Sequence, residues 1–374
     1  MTDVDESTEM FVPPGLVHEA HPELFDIRAM PAPPKEARLG QLPQHLIRQF
    51  FEEGYVLVPD FFRPEELEPC RRAVERQVER LAQKLYKAGK IKDLYSEYGL
   101  FERLTHIDKE FPGANVILLK YPDLCDEFKA LWTNERLLNV VEQLIGPEIH
   151  GHPLWNLRTK TPQNEATTVP WHQDVAYLDN DCYTTLQATA WIPLLDTNAN
   201  NGCMQMVRRG HRAGRIATHQ CCDGGTWYVM LNEEEMAKSL GTNPATDFVT
   251  CEVPYGGMLL FNNIIPHRSL MNLSNDIRWS FDLRWQKPSL PNGFYGKKDG
   301  VLMRTAKDPN FQISWEKFDS TIRHKLFRSA AVEEEEEEFD TTVPGPWMKK
   351  WEIVHVNRHV ESYRADSARF DEVH

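Results

Sequence analysis

From about residue 148 to 288 the chain breaks into short segments of strand-like composition, each closed by turn formers, and this pattern most constrains what it can fold into. The segments are His150 to Arg158, Leu186 to Leu195, Cys203 to Val207, Asp247 to Val253, Gly257 to Phe261, Ser269 to Asn272 and Arg278 to Trp285. Turn chemistry is strong at Asn198-Ala-Asn-Asn-Gly202, at Gly256-Gly257 and at Asn272-Leu-Ser-Asn-Asp276. Many short strands at such spacing predict an antiparallel sandwich or barrel.

Helices are expected before it. Pro64 opens a segment from Glu65 to Ala88 with Leu67, Val74, Val78, Leu81 and Leu85 at helical spacing, and Asn134 is a fair N-cap for Leu137 to Ile145. Residues 1–36, with Pro13-Pro14, Pro31 and Pro33-Pro34, read as an extended arm. Residues 37–288 read as one domain. Residues 289–374 read as an extension with a helix from Ser314 to Arg328 and six glutamates (333–338), long enough for a lid or a homodimer contact. A run of like charge is a solvated loop more often than a binding site.

The charge of 42 minus 56, or −14, gives no electrostatic reason to expect nucleic acid or an anionic membrane as partner. No apolar run has the length of a membrane-spanning helix. Seven cysteines without framework spacing predict reduced thiols in a cytoplasmic setting, with the Cys221-Cys222 pair incidental. Arg38-Leu39, then five residues, then His45-Leu46 matches a bipartite peroxisomal signal, but it runs into an amphipathic helix at Gln44 to Glu53 that reads as folded core.

Two His-x-Asp triplets occur, His106-Ile-Asp108 and His172-Gln-Asp174, and with 14 histidines about one is expected by chance. Position favours the second. Residues i and i+2 of a strand share a face, so His172 and Asp174 can meet one metal. His267, which opens the strand carrying Ser269, is the best-placed third ligand. Two imidazoles and a carboxylate are the facial set of non-heme Fe(II) oxygenases, which leaves positions open for cosubstrate and O₂. Arg278, beyond the Asn272–Asp276 turn, enters the next strand near the level of His267 and can hold a carboxylate bidentately.

These motifs, with Gly54-Tyr-Val-Leu-Val-Pro-Asp60, Trp191-Ile-Pro-Leu-Leu-Asp-Thr197, Asn201-Gly-Cys-Met-Gln205 and His267-Arg-Ser269, resemble the phytanoyl-CoA dioxygenase family of Fe(II)/2-oxoglutarate oxygenases. The resemblance covers 115–285 and reaches back to about 44. It implies a mainly β fold with flanking helices and a double-stranded β-helix core, a jelly roll of cupin type. It also implies His172, Asp174 and His267 as iron ligands, and Arg278 with Ser269 as the seat of the 5-carboxylate of 2-oxoglutarate. Trp191, Asn156 and Lys120 fall at cosubstrate-contacting positions of relatives. One departure is Arg209-Gly210-His211, where the family usually has Gly-Ser-His.

The implied reaction uses O₂ and 2-oxoglutarate, with ascorbate as reductant, to hydroxylate an aliphatic C–H of a small-molecule or acyl substrate and release succinate and CO₂. Desaturation, epimerisation and cyclisation stay open, but Asp174 argues against halogenation, which needs its coordination position vacant. Tyr177, Arg158, Gln205 and His211 are candidate substrate contacts. Two rival readings stand beside this one: a metal-binding jelly roll without oxygenase activity, and an interaction module acting through its acidic tail.

Overall fold

The computed structural model describes residues 16, 19–308, 310–319, 326 and 338–365. Most of the acidic run, the greater part of the Ser314–Arg328 helix and the first fifteen residues of the arm lie outside them; Glu316–Asp319 is helical as expected.

Six helices come first or nearly so: α1 (Gln44–Glu53), α2 (Pro64–Lys87), α3 (Arg103–Glu110), α4 (Ala114–Lys120), α5 (Asp126–Trp132) and α6 (Glu135–Ile145). Their ends follow local chemistry. The Asn134 side chain accepts from the amides of Arg136 and Leu137 to start α6, and Gly54 ends α1 in the left-handed region at φ 88°. With this many helices the fold is a mixed α/β one rather than mainly β.

A seven-stranded antiparallel sheet forms the base of the molecule. It contains β1 (Tyr55–Val58), β2 (Ile149–Gly151), β3 (Asn156–Lys160), β4 (Ala188–Pro193), β9 (Met258–Asn262), β11 (Arg278–Gln286) and β12 (Val301–Arg304), in the order β1-β9-β4-β11-β2-β12 with β3 also on β11. The single expected strand from His150 to Arg158 is two, with Pro153, which has no amide to donate, in the gap. Facing this sheet is a smaller one of β10 (His267–Ser269), β5 (Met204–Val207) and β8 (Phe248–Cys251). Trp191, Leu259 and Phe261 of the first pack against Met204, Met206 and Cys251 of the second. A third sheet joins β6 (Gln220–Cys221), β7 (Val229–Met230) and β13 (Glu352–Ile353). Cys221 and Cys222 are disulfide-bonded, against the expectation of thiols throughout, while the other five cysteines are free.

β11 organises all of this. It alternates Trp279, Phe281, Leu283 and Trp285 with Arg278, Ser280, Asp282, Arg284 and Gln286, and all nine residues are buried. The apolar set faces the helices: Phe281 meets the Phe128 ring edge-on at 4.7 Å, and the Trp279 indole donates to the Leu100 carbonyl. The polar set therefore has to face the interior of the sandwich.

Truncating Phe281 to alanine removes the ring that joins strand to helix layer. The expected loss is about 3–5 kcal/mol in urea denaturation, and a loss under about 1 kcal/mol would contradict this packing role.

Candidate metal centre and cosubstrate pocket

His172 and His267 lie opposite one another in an isolated antiparallel bridge, each amide donating to the other's carbonyl at 3.0 and 2.9 Å. The strand expected around His172 is this single bridge, and Asp174 instead opens a short 3-10 turn, Asp174–Tyr177. Bridge and turn together bring His172 and Asp174 to one point. Gln173 holds the opposite side: its side chain donates to the carbonyls of Ile264 and Arg215 and accepts from the amide of Ala217.

The ring nitrogens are already sorted. Nδ1 of His172 bonds the Pro170 carbonyl at 2.9 Å and Nδ1 of His267 the Ile265 carbonyl at 3.0 Å, which makes both Nδ1 atoms donors and leaves both Nε2 atoms as acceptors. These Nε2 atoms sit 3.4 and 3.6 Å from Oδ1 of Asp174. The three residues are buried, with their ligand atoms all within 4.8 Å of one another. Two imidazoles oriented by backbone carbonyls, plus one carboxylate, fit a divalent first-row metal.

Arg284 completes the group, and the sequence reading missed it. Its Nε and Nη2 donate to Oδ2 of Asp174 at 3.1 and 2.9 Å, leaving Oδ1 for the centre. Burial would raise the Asp174 carboxyl, but Arg284 and the two histidines outweigh it and hold it well below its ordinary value. Burial, then the neighbouring His172, pushes His267 down to about 4. The signal for Arg284 was present in the alternation of β11, where every second residue is polar.

A pocket opens beside the triad, lined by Ser269, Trp191 and Arg278 among others. Arg278 is 2% exposed, its Nη1 donates to the Ser280 hydroxyl, its guanidinium lies 5.2 Å from the Trp191 ring centre, and its Nε has no hydrogen-bond partner among the described residues. Burial pulls this group down to about 10, so it stays charged near neutrality. The turn before it carries the chain from the small sheet to the large one, so Arg278 and His267 face each other across the sandwich rather than as neighbouring strands.

A second, aromatic chamber adjoins this pocket, and the two share His172, Arg158, Trp227, Tyr228 and Arg284 among their walls. Tyr177, Tyr295, Trp347 and Asn156 line it as well. Asp282 accepts from both Arg158, at 2.6 Å, and Asn156. The segment 343–351 closes one wall: Trp347 donates to the Trp227 carbonyl, and Trp351 and Lys350 to carbonyls of the turn that begins at Asp174.

Three expected contacts sit elsewhere. Lys120, at the end of α4 rather than on a strand, donates to the carboxylate and carbonyl of Asp340 and lines neither pocket at the triad. Gln205 pairs with Thr250 and Arg268, away from both pockets, and His211 is packed behind Gly54 with its Nε2 on the Phe51 carbonyl. The competing triplet is structural: His106 stacks on Tyr98, and Asp108 accepts from the amides of Gly113 and Asn115.

Replacing Arg284 with methionine removes the group that aims Asp174. Fe(II) affinity, measured by anaerobic titration, is expected to fall about 10- to 100-fold. Unchanged affinity would show that Asp174 needs no such support.

A sequence model of the phytanoyl-CoA dioxygenase family matches residues 50–280. Among solved structures, the apo form of the non-heme monooxygenase ThoJ is 16% identical, with a TM-score of 0.49 over 88% of this chain and 98% of that one. SnoK, a non-heme alpha ketoglutarate dependent carbocyclase from nogalamycin biosynthesis, is 18% identical with a TM-score of 0.43 over 73% and 92%. EvdO2 from Micromonospora carbonacea var. aurantiaca, complexed with 2-oxoglutarate, is 18% identical with a TM-score of 0.42 over 67% and 93%. The family match runs from within α1 into β11, more than half of the sequence, so the chain belongs to the phytanoyl-CoA dioxygenase family, the iron- and 2-oxoglutarate-dependent oxygenases.

Proposed function

We propose that the enzyme is a dioxygenase that hydroxylates an aliphatic C–H of a small, largely apolar molecule, converting 2-oxoglutarate and O₂ to succinate and CO₂ as it does so. The observation that carries this reading is an oriented His/Asp/His donor set whose two histidines line the same pocket as Arg278, a buried arginine with no carboxylate hydrogen-bonded to it among the described residues. His172, Asp174 and His267 would hold the iron, and Arg278 with Ser269 and Trp191 would seat the far carboxylate of 2-oxoglutarate. Iron so held supplies the oxidising chemistry: one oxygen atom of O₂ ends in succinate and the other in the hydroxyl product.

The chain's own residues do the positioning. Arg284 fixes which oxygen Asp174 turns to the metal, and the backbone carbonyls behind His172 and His267 fix the ring tautomers. In the substrate chamber the polar tips are taken up by the protein's own backbone. Tyr228 donates to the Ala166 carbonyl, Tyr295 to the Tyr177 carbonyl and Trp347 to the Trp227 carbonyl, while the Tyr177 hydroxyl accepts from the Val229 amide. What remains for the substrate is aromatic surface, with the Arg158 charge already paired to Asp282. Such a chamber favours an apolar body and excludes water from the reacting carbon. The segment that carries Val343, Pro344 and Trp347 acts as its lid.

The test is succinate release from 2-oxoglutarate with Fe(II) and ascorbate across a panel of small apolar metabolites and acyl compounds. We expect turnover, coupled or uncoupled, that falls at least about 100-fold in His172→Ala. Wild-type protein that neither releases succinate nor binds 2-oxoglutarate would leave the jelly roll as a metal-binding module only.

A further inference from the structure

Lys160 is the last residue of β3 and stands directly opposite Arg278 in the β3–β11 register. Opposed residues of an antiparallel pair project to the same face, so both side chains enter the pocket beside the triad, and both line it. Lys160 is 2% exposed, and its Nζ has no hydrogen-bond partner among the described residues. A buried ammonium with no partner is costly, and next to a second cation it is costlier still. Burial first, then Arg278 and Arg158, pulls its pKa well below the ordinary value.

The lysine stem is packed against Gly202. A Cβ on Gly202 would lie 2.7 Å from Cδ of Lys160, and Gly202 itself is held at φ +80°, so the lysine stem fills the space that a side chain there would need. The glycine of the Asn201-Gly202 turn thus makes room for Lys160 as well as turning the chain. On its own strand, Arg158 is taken by Asp282, and on the facing strand Arg278 spends one nitrogen on Ser280.

We propose that Lys160 is a second cation for the far carboxylate of the cosubstrate, a positioning residue that shares this group with Arg278. The inference rests on the 2-oxoglutarate reading above. A dianionic cosubstrate brings two charges to this site, one on the carboxylate beside the metal and one at the far end, and a lysine–arginine pair neutralises the far end more completely than arginine alone. The seat then selects for a carboxylate at that end over a neutral group of the same length.

Isothermal titration of Mn(II)-loaded protein under argon separates the outcomes, using 2-oxoglutarate and 2-oxovalerate, which keeps the metal-binding end and lacks the far carboxylate. In Lys160→Met, affinity for 2-oxoglutarate is expected to fall about 10- to 100-fold, while 2-oxovalerate binding changes less than about threefold. The thermal midpoint of the empty variant is expected to equal or exceed that of wild type, because a buried polar group without a hydrogen-bond partner is gone. Equal losses for both ligands, or a lowered midpoint, would make Lys160 structural and overturn the proposal. Unchanged 2-oxoglutarate affinity in Lys160→Met, with a large loss in Arg278→Leu, would overturn it and leave the 2-oxoglutarate reading standing. Wild-type protein that does not bind 2-oxoglutarate would remove that reading and this proposal together.

Discussion

A β-strand sends alternate side chains to opposite sides, and β11 is buried on both of them. One side is filled by tryptophan, phenylalanine and leucine against the helices. The other must then hold two arginines, an aspartate, a serine and a glutamine away from water, and each charge there needs a counter-charge or a ligand. The arrangement meets that demand unevenly along the strand. At one end Gln286 hydrogen-bonds Gln187, next to it Arg284 pairs with Asp174, then Asp282 with Arg158, and at the other end Arg278 is left with only a serine.

That gradient is what makes the site a site. Where the pairing is complete, the paired groups orient: Arg284 costs little because Asp174 is beside it, and in return it directs one carboxylate oxygen toward the histidines. Where the pairing is incomplete, positive charge accumulates. Arg278 and Lys160 face the same pocket with no carboxylate hydrogen-bonded to either among the described residues, and an anion with two carboxylates supplies what the protein withholds. Stability given up at that end of β11 is recovered on binding, a common division between scaffold and active site.

Much of this was legible in the sequence, for different reasons at different places. His172, Asp174 and His267 could be placed because their order and the strands around them match a family pattern, although the local explanation needed revision: a bridge and a 3-10 turn, rather than one strand, bring His172 to Asp174. Helices α2 and α6 followed from periodicity and from the Asn134 cap. Arg284 and Asp282 were missed even though the strand containing them was identified, because a charged residue in a strand is ordinarily solvent-facing and only the second, helix-covered face of β11 forces them inward. Lys120 failed for the opposite reason. A resemblance carried its position but not its rotamer, and Asp340, far along the chain, claims its ammonium. Of the aromatic chamber only Tyr177 and Arg158 were named in advance as substrate contacts, since its other walls come from segments as distant as Trp227 and Trp347.

The central claim is that a metal and a dicarboxylate share the polar face of β11, each at its own end. A crystal structure with Mn(II), a redox-stable stand-in for Fe(II), and 2-oxoglutarate addresses it most directly. The account predicts the metal among Nε2 of His172, Nε2 of His267 and Oδ1 of Asp174, with the far carboxylate between Arg278 and Lys160. A metal bound elsewhere, or a far carboxylate lying in the aromatic chamber among Tyr177, Tyr295 and Trp347, would contradict it.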